Sequence, residues 1–119
     1  MLLSVPNWET FLRAAEQASL PEVNLAELKP GDRLSVLTAH TGYIFRITSC
    51  SLAELSTNRA DRPAGVVQLN GCTFGASATI KPDRVFCGGN LEFTVLTNRT
   101  LFTTTAIRAL QLTQDRTID

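Results

Sequence analysis

The chain has 119 residues, 44% of them hydrophobic and 18% charged, a composition that predicts one globular domain with its own core and excludes an intrinsically disordered chain. Eleven basic residues balance eleven acidic ones, so the net charge is zero. That removes the long-range field by which basic proteins find nucleic acid or anionic membranes, and it favours self-association.

Three cysteines, Cys50, Cys72 and Cys87, are an odd set in a short chain, which argues against a disulfide scaffold. The opening MLLSVPNWET has no basic region and only a brief apolar run, which predicts no signal peptide. No apolar run approaches the ~20 residues of a membrane-spanning helix. The expectation is a reduced, cytoplasmic protein that does not enter a membrane and carries no cofactor.

In chain order, Trp8, Phe11, Leu12 and Ala15 fall at i, i+3, i+4 and i+7, which predicts a helix over 7–18 with one aromatic face. A helix this short is marginal alone and must pack on something, most simply the sheet. Leu20 to Leu28 reads as a connector, with one further helical turn at Leu25–Leu28. Lys29-Pro30-Gly31-Asp32 is a turn signal.

From there the period changes to two. Arg33–Thr38 and Tyr43–Thr48 read as strands, the second alternating Tyr43, Phe45 and Ile47 with Ile44, Arg46 and Thr48. Cys50–Leu55 fits a short helix or an extended crossing, and Ser56–Pro63 is the most polar loop. Further strands are predicted at Gly65–Asn70, Ala76–Ile80, Arg84–Phe86 and Leu91–Leu96. Thr97–Thr100 reads as a tight hairpin with the positive φ at Asn98. The last strand, Leu101–Thr113, has a mixed phase that a bulge near Arg108 would reconcile. Leu37, Ile44, Val66 and Leu96 fall on the outward face of their strands, where a helix or a second subunit would cover them.

These elements predict an all-β fold, a small antiparallel β-barrel or bent sandwich with one N-terminal α-helix packed on it. The expected organisation is a single domain over 1–119: helix and connector over 1–28, barrel over 29–113, tail over 114–119.

Pro30 to Phe93 resembles a pattern of small uncharacterised bacterial all-β proteins. It has a PGD turn at Pro30-Gly31-Asp32, then Thr38 with Tyr43, Leu69, a glycine turn over Gly71–Ser77, and Gly89 followed by Leu91-Glu92-Phe93. The resemblance implies one β domain and carries no catalytic residue. Leu28–Thr48 also looks like the GD-containing strand pair of sortases. The Thr-Leu-x-Thr-Cys motif of that family is absent before Cys87, where Asp83-Arg84-Val85-Phe86 stand, and His40 follows the strand it should precede. No transpeptidase chemistry is carried over.

Three constellations carry candidate chemistry. Gly71, Thr73, Gly75 and Ser77 would form a backbone nest for an anion, with Lys81 and Arg84 adding charge; the plainer reading is a β-arch that needs glycine and hydroxyls. Cys87 before Gly88-Gly89 has the form of a thiol beside free backbone donors. His40 and the three cysteines lack the close pairing of structural zinc sites. The basic residues Arg59, Arg62, Lys81, Arg84 and Arg99 would need exposed aromatic partners, Tyr43 or Phe74, to hold single-stranded nucleic acid, and nucleic acid is not the expected partner. The expected role is a non-enzymatic interaction or binding module that self-associates or takes a protein partner. The alternatives are an anion-binding barrel using Gly71–Ser77 with Lys81 and Arg84, and a cysteine-dependent enzyme.

Overall fold

The computed structural model describes residues 20–59, 64–73 and 80–114. Ten strands follow in order: β1 (Glu22–Asn24), β2 (Arg33–Leu37), β3 (Gly42–Ser49), β4 (Leu52–Thr57), β5 (Gly65–Thr73), β6 (Ile80–Pro82), β7 (Arg84–Phe86), β8 (Asn90–Val95), β9 (Thr100–Ala106) and β10 (Ala109–Thr113). The only helical piece among the described residues is a single 3-10 turn, Leu25–Glu27, capped by the Asn24 side chain. The helix expected over 7–18 lies outside the described residues, as do residues 115–119 of the expected tail. All the pairing is antiparallel.

Local chemistry explains several joints. Lys29–Asp32 closes with the Asp32 N–H donating to the Lys29 carbonyl at 3.0 Å, and Gly31 has φ +96°. Pro30 and Gly31 thus take the two central positions that a type II turn asks of them. The Asp32 carboxylate locks the turn by accepting the Lys29 N–H at 3.0 Å. The ambiguous stretch from Cys50 is a two-residue turn, Cys50-Ser51, into β4. The β8–β9 hairpin places its positive φ at Arg99 (+59°), not Asn98; the Asn98 side chain instead accepts the Thr100 N–H at 3.1 Å.

The main sheet runs β10-β2-β3-β4-β5-β8-β9, with β6 paired to β5. β1 and β7 form a separate two-stranded sheet. Of the expected barrel or bent sandwich, the barrel is not closed: β9 and β10 are the two ends of the main path and do not pair with each other. Only Ile107 and Arg108 separate them, so β9 and β10 are successive parts of one bent strand. They do not pair with each other, so the chain bends at this link instead of folding back as a hairpin. The sheet therefore curls until its two ends share a covalent link, while no ladder closes it. The break at 107–108 stands where the mixed hydrophobic phase had called for a bulge.

Register shifts near Thr48, Asn70 and Leu91 help the curl, since an extra residue in one strand bends it and increases local twist. The inward face holds the core. Leu34, Phe45 and Leu55 form one cross-strand row, Ile47, Ala53, Val67 and Val95 another, and Leu69, Phe93 and Phe102 a third. Each fully buried large side chain here contributes on the order of 1.5–3 kcal/mol. Val23, Leu25 and Val85 from the small sheet and turn cap this core. Of the four apolar residues expected to face outward, Leu37 is buried, Ile44 is half-buried, and Val66 and Leu96 are exposed.

Candidate functional site

The sequence-predicted anion nest is divided by the fold. Gly71 lies inside β5 and Thr73 ends it, both paired on one side with β6 and on the other with β8. Gly71 has φ +129°, and a Cβ there would run into the Lys81 carbonyl oxygen. Its lack of a side chain thus serves close approach of β5 and β6. Gly75 and Ser77 lie outside the described residues. Lys81 is exposed on β6, with its ammonium 5.9 Å from the Phe86 ring centroid. Arg84 belongs to the small sheet and donates to the Glu22 carboxylate at 3.0 Å. Gly71 and Lys81 are brought together; Arg84 faces a carboxylate on β1.

Cys87 sits just after β7, where the chain passes close to Leu20 and Arg108. Its thiol points at two backbone acceptors, the carbonyl oxygens of Leu20 at 3.4 Å and Arg108 at 3.8 Å. The N–H groups expected to serve as oxyanion donors are taken. Cys87 donates to Pro21 at 3.1 Å, Gly88 to Ile107 at 2.8 Å and Gly89 to Phe86 at 3.1 Å. Cys72 is fully buried, and burial pushes its thiol up to about 11, partly offset by a hydrogen bond with the Phe86 backbone. Such a thiol is an inert core residue. Among the described residues no three His, Cys, Asp or Glu side chains converge as metal ligands.

A different place in the fold gathers polar chemistry. A cleft of about 130 Å³ lies between the β2–β3 turn and β9. Thr38, His40 and Thr41 line it from the turn, Tyr43 from the start of β3, Arg59 from beyond β4, and Phe102 to Thr105 from β9.

Each wall has a local cause. The turn is held by Thr38, whose N–H and hydroxyl both donate to the Thr41 carbonyl, at 2.9 and 3.2 Å. Arg59 is anchored through Thr57, whose hydroxyl donates to the Arg59 carbonyl at 2.7 Å and accepts its N–H at 3.1 Å. The Asn58 side chain accepts the Gly42 N–H at 2.9 Å and ties that segment to β3. On β9 the shift in register leaves Thr104 and Thr105 opposite Leu91, and the Thr104 hydroxyl accepts the Leu91 N–H at 3.0 Å. The apolar floor is Tyr43 against Phe102, ring centroids 6.5 Å apart.

No Asp or Glu is among the lining residues, whereas one arginine and one histidine are. The volume is well below the ~300 Å³ at the lower end of ordinary ligand pockets, so a nucleotide does not fit and a small polar group does. Tyr43 is 2% exposed, which removes it as a stacking platform for nucleic acid. Sequence reasoning missed this cleft because its walls come from three distant segments. The available signals were His40, Arg59 and the run Thr103-Thr104-Thr105, each bland alone.

Comparison of the chain with models of known protein families, with curated proteins and with solved structures finds no match in any of the three. The resemblance over Pro30–Phe93 therefore rests on its motifs alone.

Proposed function

We propose that the protein is a non-enzymatic interaction module that associates with a second copy of itself through the outer face of β5, β8 and β9. The observation that carries this reading is a contiguous exposed apolar group at one end of the main sheet. Val66 on β5 and Leu96, the residue that follows β8, stand side by side, the Leu96 N–H donating to the Val66 carbonyl at 3.1 Å. Leu101 on β9 is opposite Thr94, two residues from Leu96, and is 56% exposed.

Two further features favour a second copy as the occupant. β9 pairs only with β8 among the described residues, and Thr100–Ala106 contains no charge and no proline. Those are the devices that normally keep a free edge from pairing. The zero net charge also leaves no long-range repulsion between copies. Apolar side chains at the centre of such a face supply most of the affinity, each worth on the order of 1–2 kcal/mol when buried.

The test is sedimentation velocity from low to high micromolar concentration. The wild type is expected to shift to a dimer or larger species. Leu101→Glu is expected to remain monomeric with an unchanged melting temperature, because the side chain is exposed in the single chain. A wild type that stays monomeric at high micromolar concentration overturns the reading. The anion site at Gly71–Arg84 is the weaker alternative, since Arg84 already holds Glu22 and Gly71 is an interior ladder residue.

A further inference from the structure

We infer that Asn70, in the bulge of β5, is a covalent modification site: with Gly71 it deamidates only when the strand opens, and the product then keeps the strand from closing. This inference is independent of self-association. It rests on the Asn70-Gly71 pair, on the register around it and on the carboxylate that faces it.

Asn70 is the only asparagine in the chain that is followed by glycine. That order favours one reaction. The Gly71 backbone nitrogen gives up its proton and attacks the Asn70 side-chain carbonyl carbon. The new C–N bond closes a five-membered succinimide, and the side-chain nitrogen leaves as ammonia. Water then opens the ring at either carbonyl. One product is aspartate; the other is isoaspartate, in which the main chain runs through the former side chain. Glycine speeds ring closure because it has no Cβ to crowd the attacking nitrogen and leaves the backbone free to turn.

The fold withholds that geometry. Asn70 is the extra residue where β5 slips against β8, between the Leu69–Phe93 and Gly71–Glu92 pairs. Its side-chain nitrogen donates to the Thr94 hydroxyl at 3.1 Å and to the Glu92 carboxylate at 3.4 Å. Ring closure requires the side chain to leave both partners and the backbone between Asn70 and Gly71 to rotate. Gly71 is paired with Pro82 on one side and Glu92 on the other, so the rotation breaks two ladders at once. The rate therefore tracks the population of molecules in which β5 has opened.

The product acts back on the fold. An aspartate replaces the donating amide with a second carboxylate beside Glu92, and like charges facing each other across a sheet are destabilising. An isoaspartate adds a main-chain carbon midway along β5. That puts the pairing of Cys72 with Lys81 and Leu91 out of step, although Cys72 and Leu91 are fully buried in the core. A reversible opening thus becomes a one-way exit from the folded state.

The test holds the full chain at mildly alkaline pH, in buffer and in urea above the unfolding midpoint, and follows deamidation by peptide mass mapping and isoaspartate content. In urea, Asn70 is expected to react ahead of Asn24, Asn58, Asn90 and Asn98. In buffer its reaction is expected to be slower by about a hundredfold or more, as opening of an inner strand requires. Thr94→Val removes one partner of the amide and should speed the reaction in buffer while leaving the urea rate unchanged. Molecules modified in urea and returned to buffer should stay unfolded, or melt below unmodified molecules carried through the same treatment. Asn70→Asp should lower the urea midpoint more than Asn70→Ser, which keeps an uncharged donor. Equal rates in buffer and urea overturn the inference, as do modified molecules and an Asn70→Asp protein that both unfold at the wild-type midpoint.

Discussion

The hydroxyl of Thr104 accepts the backbone N–H of Leu91 at 3.0 Å, taking the place of a carbonyl where the β8–β9 register shifts. A side chain thus satisfies a buried donor that the bulge would otherwise orphan. Thr104→Val keeps the shape and removes the acceptor, and is expected to destabilise the fold by about 1–3 kcal/mol. Thr104→Ser keeps the oxygen and should cost less. Urea unfolding with an unchanged slope reads the difference directly. Equal losses in the two variants would mean that the methyl group, not the oxygen, matters here.

Two glycines with positive φ should respond differently to alanine. Gly71, at φ +129°, faces the Lys81 backbone, whereas Gly65, at φ +105°, has open space where a Cβ would stand. Gly65→Ala carries only backbone strain, about 1–2 kcal/mol. Gly71→Ala adds a collision with a neighbouring strand that cannot move without breaking the β5–β6 ladder, so a loss above about 3 kcal/mol is expected. Thermal melts of the two variants, compared side by side, test the ranking.

The three thiols should label in the order of their surroundings. Cys50 is exposed, Cys87 is half-buried against two carbonyls, and Cys72 is fully buried. At mildly alkaline pH Cys50 should react with a maleimide first, and Cys72 only as fast as the protein unfolds. The Cys72 thiol ionises near 9.0 when unfolded and near 11 when folded. As pH rises from 9 to 11 the unfolded chain loses that proton first, so stability conferred by the buried neutral thiol is present below pH 9 and is lost across that window. Cys72→Ala should show a shallower fall in stability over the same range, measured by denaturant midpoints.

Much of the sheet was legible because its residues obey one local rule. Tyr43, Phe45 and Ile47 alternate with more exposed neighbours in β3, and Leu91, Phe93 and Val95 do the same in β8. The Pro30-Gly31 turn was legible because proline presets φ at the first central position and glycine takes the positive φ of the second without steric cost. Errors arose where a non-local contact decided. Gly71 resembled an anion nest because sequence cannot show that β6 will lie against it. Closure was not legible because alternation describes strands and is silent on whether the first and last will pair. The cleft was invisible for a related reason: its walls meet only when the β2–β3 turn, the segment after β4 and β9 are folded against one another.

The two-residue link between β9 and β10 has a consequence for how the chain acquires its structure. β2 is the first strand of the main sheet to be synthesised, yet one of its neighbours is β10, with Arg33 against Thr113 across almost the whole described chain. Hairpins such as β2–β3 and β3–β4 can form early, since little chain separates them. The β2 edge stays open until β9 has docked on β8 and delivered β10 across the gap. Ladders between such distant segments slow folding, because the entropy of closing a long loop is lost before the contacts repay it. β10 therefore works as a latch, and a nascent chain that has not yet released β10 would still expose the strand that begins the sheet.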